Sequence, residues 1–196
     1  KLKDVTANVD VITAEDIESR KFKTVAEALN TIPGIQVSPS GGIGQQTSVF
    51  LRGMDSKRTL VLIDGIRYND ITTPNGAANF EHLMINDIER IEVIKGAQSS
   101  IWGADASAGV INIITKSAQD GTHGNATIEY GRYNSKIARA NISHKNENFD
   151  AKLSATRVDT DGFSAKSPKS SEAKNYEDDG YENTTANLKL GYNFNE

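Results

Sequence analysis

The stretch Ile88-Glu-Arg-Ile-Glu-Val-Ile-Lys-Gly-Ala-Gln-Ser-Ser-Ile-Trp-Gly-Ala-Asp-Ala-Ser-Ala-Gly-Val-Ile-Asn-Ile-Ile-Thr-Lys116 decides how this chain folds. It holds two β-branched apolar runs, Ile91–Ile94 and Val110–Ile114. Such runs bounded by glycines read as strands. Between them lie a short polar segment and a cluster of small residues, with Gly96, Gly103 and Gly109 at the points where the chain must bend. By itself the pattern fits a strand–helix–strand unit in a small mixed α and β domain.

The N-terminal side continues the same economy. Val9–Ile12 predicts a short strand, and Thr13 an N-cap with Glu15 and Asp16 in the first helical turn. Thr24 with Glu27 predicts a capping box, and Val25, Ala28, Leu29 and Ile32 give that helix one apolar face. Pro33-Gly34 stops it. Strands are predicted over Ser48–Arg52 and Thr59–Ile63, joined through Gly53–Arg58. Asp64-Gly65 is a hairpin signal leading into Ile66-Arg67-Tyr68. Ser38–Gln46 and Asn69–Asn79 read as loops.

Beyond Lys116 the composition changes. Ser117–Gly124 reads as a polar linker. Four segments then alternate with period two: Ala126, Ile128, Tyr130; Ala138, Ala140, Ile142; Phe149, Ala151, Leu153, Ala155; and Ala186, Leu188, Leu190, Tyr192, Phe194. Period two means one apolar and one polar face. It fits both a soluble antiparallel sheet and the strands of a membrane barrel. Tyr133-Asn134 and Asn146-Glu147-Asn148 are brief turns, while Asp159–Asn183 is a long polar connection. Short turns at one end and long loops at the other, with aromatics near the interfaces, are barrel features.

Bulk properties exclude several classes. The 196 residues carry a net charge of -4, against nucleic-acid binding through a basic surface. With no cysteine there are no disulfides, thiolate metal sites or cysteine nucleophiles. No apolar run is long enough for a membrane-spanning helix. His82, His123 and His144 show no metal-ligand spacing, and neither a phosphate loop nor a nucleophile elbow occurs. Asp64 and Asp105 could be an acid–base pair, but each sits in a Gly-rich turn where aspartate serves the backbone. The chain therefore reads as a non-enzyme.

Phe50-Leu51-Arg52-Gly53, Thr59 to Arg67 and the Ile88–Lys116 stretch, in that order, resemble the plug domain of TonB-dependent outer-membrane receptors. The resemblance runs from about Val5 to Lys116. Within the family, Pro33-Gly34-Ile35, Gly41–Gln45, Leu60–Arg67 and Ser99–Asp105 are most similar to cobalamin receptors, whereas the Asp70–Asn79 loop departs from them. The resemblance implies an α+β plug over 1–116, a linker over 117–124, and over 125–196 the first antiparallel strands of a barrel of about 22 strands, on the bacterial outer membrane. Lys1-Leu2-Lys3-Asp4 reads as a mature or trimmed start, and no TonB box is recognisable.

The implied function is uptake of a scarce, bulky nutrient, cobalamin above all, with a siderophore or haem receptor and a non-transporting plug-like binding module as alternatives. TonB would engage a segment upstream of or near residue 1. The implied ligand contacts are Met54, Asp55 and Ser56 in one loop and Thr72, Thr73, Pro74 and Asn75 in the other. Arg52 and Arg90 would meet acidic groups on the barrel wall. In cobalamin receptors the long loop carries calcium-binding acids, and Glu177 and Asp179 occupy the matching positions. Ser164 stands where another aspartate is expected.

Overall fold

The structure, a computed structural model, describes residues 8–72, 76–85, 87–164 and 178–194. The chain divides into two compact units, Lys1–Pro39 with Gln46–Lys116, and Ser40–Gln45 with Ser117–Glu196.

In the first unit the elements run β1 (Asn8–Thr13), α1 (Ala14–Arg20), α2 (Val25–Leu29), β2 (Ile35–Pro39), β3 (Thr47–Leu51), β4 (Thr59–Ile63), β5 (Ile66–Arg67), β6 (Ile88–Lys95), α3 (Ser99–Trp102) and β7 (Gly109–Thr115). Five strands form one mixed sheet in the order β1-β6-β7-β4-β5, and β2 and β3 pair separately. Only β4 and β7 run parallel in it; the other neighbours are antiparallel. At the β4–β5 turn Asp64 and Gly65 both have positive φ, 48° and 81°, the two-residue geometry whose twist suits a hairpin.

Local chemistry sets the helix starts. Thr13 and Asp16 form a complete capping box. The hydrogen bond from the Thr13 backbone N–H holds the Asp16 carboxyl below its usual range. That cap is present at neutral pH and is lost as the pH falls through the lowered value. At α2 the expected box forms only in part. Thr24 Oγ1 accepts from Glu27 N at 3.2 Å, but the Glu27 carboxylate accepts from Lys23 N instead, at 2.7 Å. The chain enters α2 through a β-bridge of Thr24 to Met84, which fixes its approach.

The main core joins Ile17, Val25 and Leu29 from the helices to Val49, Leu51, Val61, Ile91 and Ile111 from the strands, with Phe80 fully enclosed. A smaller cluster of Leu60, Leu62, Ala106 and Val110 covers the other face of β4 and β7. Burial on both faces explains why these strands are nearly continuous apolar runs.

The second unit is a meander of β8 (Gly121–Tyr130), β9 (Lys136–Lys145), β10 (Phe149–Thr160) and β11 (Tyr181–Tyr192). Two boundaries differ from the sequence reading. The linker ends at Asp120, because Gly121–Gly124 already pair with β9. The long connection runs from 161 to 180, because Asp159, Thr160, Tyr181 and Glu182 are still paired. The polar side chains at these strand ends hid the period. Strands of 10 and 12 residues match the roughly 9–11 that a tilted strand needs to cross a bilayer.

Register puts the apolar residues in rows. Ala126, Ala140, Ala155 and Ala186 align across all four strands, and Ile142, Leu153 and Leu188 align beside them. This face is the open one. Leu153 and Leu188 are 48% and 66% exposed, whereas Ser154 and Thr156 on the opposite face are 2% exposed and Lys152 is buried as well. A water-soluble sheet would have the reverse arrangement. An apolar outside and a polar inside is the pattern of a membrane barrel. The apolar band ends in the Arg157–Glu182 ion pair of 2.6 Å on one side and the Phe149–Tyr192 pair on the other. Phe194 lies past the end of β11, its ring edge-on to Tyr192 at 4.9 Å.

The first unit closes its core on itself, while the second leaves its apolar face uncovered. Residues 1–116 expressed alone should unfold in one cooperative transition, and residues 125–196 alone should be digested rapidly in limited proteolysis. Preferential survival of the C-terminal fragment would contradict this division.

Candidate functional site

Two loops meet at the start of β4. The first leaves β3 through a tight turn, in which Arg52 and Gly53 have φ of 53° and 75° and Met54 N donates to Leu51 O at 3.0 Å. Asp55 then caps a single 3-10 turn, Ser56–Arg58, by accepting from Lys57 N at 3.3 Å. Met54 packs against the main core, so it anchors the loop, while Asp55 stays exposed and Ser56 half-buried.

The second loop is held by a residue the sequence reading passed over. Asn69 is buried, and its side chain behaves as one more strand neighbour of β4. Its Oδ1 accepts from Val61 N at 2.8 Å, and its Nδ2 donates to Thr59 O at 3.0 Å and Gly76 O at 3.1 Å. The stem is closed further by Asp70, whose carboxylate accepts from Thr72 N at 2.9 Å, Thr72 Oγ1 at 2.6 Å and Asn79 Nδ2 at 3.3 Å. Asn69 thus sets the stem of this loop beside Ser56–Arg58. Ile71 and Thr72 are exposed at its described edge; Thr73, Pro74 and Asn75 lie outside the described residues. Nothing in the sequence marks Asn69 as buried among the other polar residues of the loop; only the structure shows it, and there its pairing offsets the cost of burying a polar side chain.

The arginines have separate fates. Arg90 Nε contacts Glu92 Oε1 at 2.8 Å and Arg90 Nη1 contacts Glu89 Oε1 at 2.5 Å. The hydrogen bond to Glu92 raises the Arg90 pKa further above its ordinary value. Glu92 is nearly buried and takes a second bond from Asn112 Nδ2 at 3.1 Å, directly across the β6–β7 register. The polar letters inside the two apolar runs were thus partners. Arg52 is exposed, and its backbone N–H donates to Gly34 O at 2.7 Å. Arg67 pairs with Asp105 at 2.9 Å, and Asp64 accepts from Thr115 N and Oγ1 at 2.9 and 2.5 Å. Asp64 and Asp105 are therefore engaged with different partners.

At the long connection Asp178 is exposed and Asp179 half-buried, and Glu177 lies outside the described residues. The Asp179 backbone packs against Gly162, which brings both ends of the connection together. Among the described residues no three His, Asp or Glu side chains converge as a metal site would require.

The plug family model, TonB-dependent Receptor Plug Domain, matches residues 1–110, more than half of the chain. The chain belongs to the TonB-dependent receptors. It is 36% identical over all 196 residues to the Vitamin B12 transporter BtuB of Vibrio vulnificus, covering 31% of that protein. Over 124 residues, 62% of the chain and 20% of the relative, it is 43% identical to the transporter of the same name in Vibrio cholerae. The ferric enterobactin receptor of Pseudomonas aeruginosa, solved in complex with enterobactin, superposes with a TM-score of 0.70 at 24% identity, over 95% of this chain and 31% of that one. The chain thus spans between about a fifth and a third of the length of these relatives, 20% to 31%. The matched residues end inside β7, and the inverted sheet follows at once, as plug and barrel strands do in this family.

Asn69→Ala would leave Val61 N and Thr59 O without their partner in a buried position. The cost should be about 2–3 kcal/mol. Urea titration of the 1–116 fragment would show it as a lower midpoint with an unchanged slope. Asn69→Asp, which keeps the acceptor but sets a carboxylate oxygen against the Thr59 and Gly76 carbonyls, should cost at least as much as Asn69→Ala.

Proposed function

We propose that this chain is the plug and the first barrel strands of a receptor that takes cobalamin across the bacterial outer membrane, energised through TonB. The observation that carries the reading is identity to a Vitamin B12 transporter along the whole chain, plug and strands alike. The inverted burial of β9–β11 supports a membrane location. The chemistry is binding and release, with no bond made or broken by the chain, and Asp64 and Asp105 already serve the fold.

In this reading the ligand rests on Asp55, Ser56 and Thr72–Asn75, with Met54 fixing the first loop from beneath. Loops on a rigid scaffold suit that role, since the sheet and Asn69 hold their stems. TonB engages a segment near residue 1, and ligand influences it only through a difference in affinity between two plug arrangements. In the same reading Arg52, exposed at the β3 turn, would meet acidic groups of the barrel wall. Arg90 would reach such a group only by sharing a guanidinium already held by Glu89 and Glu92.

A siderophore receptor is the second reading. The departure of the Asp70–Asn79 loop from the cobalamin pattern favours it. Full-length receptor in detergent decides between them. Cobalamin should bind, and replacing Thr73-Pro74-Asn75 by Gly and Ser should weaken binding about 10-fold or more, a loss of about 1.4 kcal/mol. Ferric siderophore binding without cobalamin binding would overturn the substrate, and unchanged affinity in the loop variant would overturn the site.

Calcium is proposed as a structural ion of the long connection, with Glu177 and Asp179 as ligands and others supplied from outside the described residues. Adjacent acids repel one another, and a hard divalent cation relieves that repulsion while coordinating oxygen. Calcium should raise substrate affinity in the full-length receptor, and Glu177→Gln with Asp179→Asn should abolish the increase. Equal affinity in calcium and in chelator for the unmutated receptor would remove the ion from the account.

A further inference from the structure

The loop Ser40–Gln45 joins β2 to β3, yet it groups with the second unit. Its contacts there are with the two feet of the 161–180 connection. Tyr181 is the first residue of β11, and Phe163 stands three residues past the end of β10. Gly44 has φ of +85°, and a Cβ added there would lie 1.9 Å from Tyr181 Cδ2. A Cβ on Gly42 would lie 3.2 Å from Phe163 Cε1. The rings therefore rest on bare backbone, and at Gly44 no other residue fits both the conformation and the space.

The feet are themselves braced. The Phe163 ring lies 5.4 Å from that of Tyr133 in the β8–β9 turn. Asp161 N donates to Tyr133 O at 3.0 Å, and Ser135 Oγ and Thr160 Oγ1 are 2.7 Å apart in a buried position. A braced platform of this kind moves as a piece, because packed side chains switch between arrangements instead of deforming smoothly.

We propose that Ser40–Gln45 is a strut seated between Phe163 and Tyr181, and that it links these two aromatic feet, at the ends of β10 and β11, to strands β2 and β3. The strut is covalently continuous with Pro39 and, through Gln46, with Thr47, so displacement of either aromatic foot is felt at both strand ends. The link does not depend on which substrate is taken up, so its failure would leave the proposed function standing. A coupling of this kind is reciprocal: loosening the strut must loosen the feet.

The test is hydrogen exchange followed by mass spectrometry on the full-length receptor. Tyr181→Ala should speed exchange about 10-fold or more in peptides covering 38–47, and Tyr181→Phe should restore protection. Gly44→Ala should speed exchange both in 38–47 and in the feet, 160–164 and 178–183. Gly65→Ala is the control, since Gly65 has φ of +81° with nothing within 4 Å of an added Cβ. It carries the same backbone strain and should leave both regions unchanged. Combining Gly44→Ala with Tyr181→Ala should speed exchange no further than either alone. Exchange in 38–47 within twofold of the parent in Tyr181→Ala would overturn the strut. So would an effect of Gly44→Ala confined to its own loop. Should Gly44→Ala fail to fold, the Tyr181 pair of variants still decides.

Discussion

The first unit depends on the pairing of β7 on both of its edges. It takes β6 antiparallel on one side and β4 parallel on the other, and the strands beyond them, β1 and β5, attach only through these two. Close approach makes this possible. At Gly109, where β7 begins, an added Cβ would lie 2.3 Å from Ile94 O and 2.5 Å from Leu51 Cδ2. Val110 and Ile111 then point into different clusters, so one strand closes both layers of the core. Burying each such side chain contributes about 1.5–3 kcal/mol, which offsets the slow, entropically costly closure of a parallel pair.

The sheet interior is not wholly apolar, and its polar members sit where two strands meet. Glu92 and Asn112 face each other across β6 and β7, and Arg90 completes the group. Lys95, almost fully buried, ties β1 and the end of the α2 region to β6 through Asp10 and the Pro33 carbonyl, both at 2.6 Å. Removing one member of such a group costs more than the group gains the fold, because the survivor is left desolvated. These contacts specify register more than they supply stability. A one-residue slip of β6 against β7 would part Glu92 from Asn112 and turn Ile91 and Val93 out of the core.

Asn69 does the same work for the candidate site. The two loops assigned to ligand are separated in sequence by all of β4 and β5, and one amide side chain brings their stems together. Each loop was recognisable from its Gly, Asp, Ser, Thr and Asn content, since those residues turn the backbone locally. Their adjacency was not recognisable, because it depends on hydrogen bonds from Asn69 to the backbone of Thr59 and Val61. Arg90 shows the opposite case. Its charge suggested a distant acidic partner, but Glu89 and Glu92, one and two residues away, already bracket it on the same strand.

What the sequence determined by itself was everything with a short period or a local geometry. The cap of α1, the apolar stripe of α2, the apolar runs of β4, β6 and β7, the Asp64-Gly65 turn and the alternation of β9 and β10 all follow from residues a few positions apart. The same alternation left the soluble and membrane readings equal, because period two marks two faces without saying which faces inward. Only the tertiary structure decided that Ser154 and Thr156 are enclosed while Leu153 and Leu188 are not. It likewise decided that Gly121–Gly124 and Tyr181–Asn183 are strand and not linker or loop, since pairing with a neighbour overrides weak local propensity. Partner choice is a property of positions far apart in the chain, and it becomes readable only when the backbone brings them together.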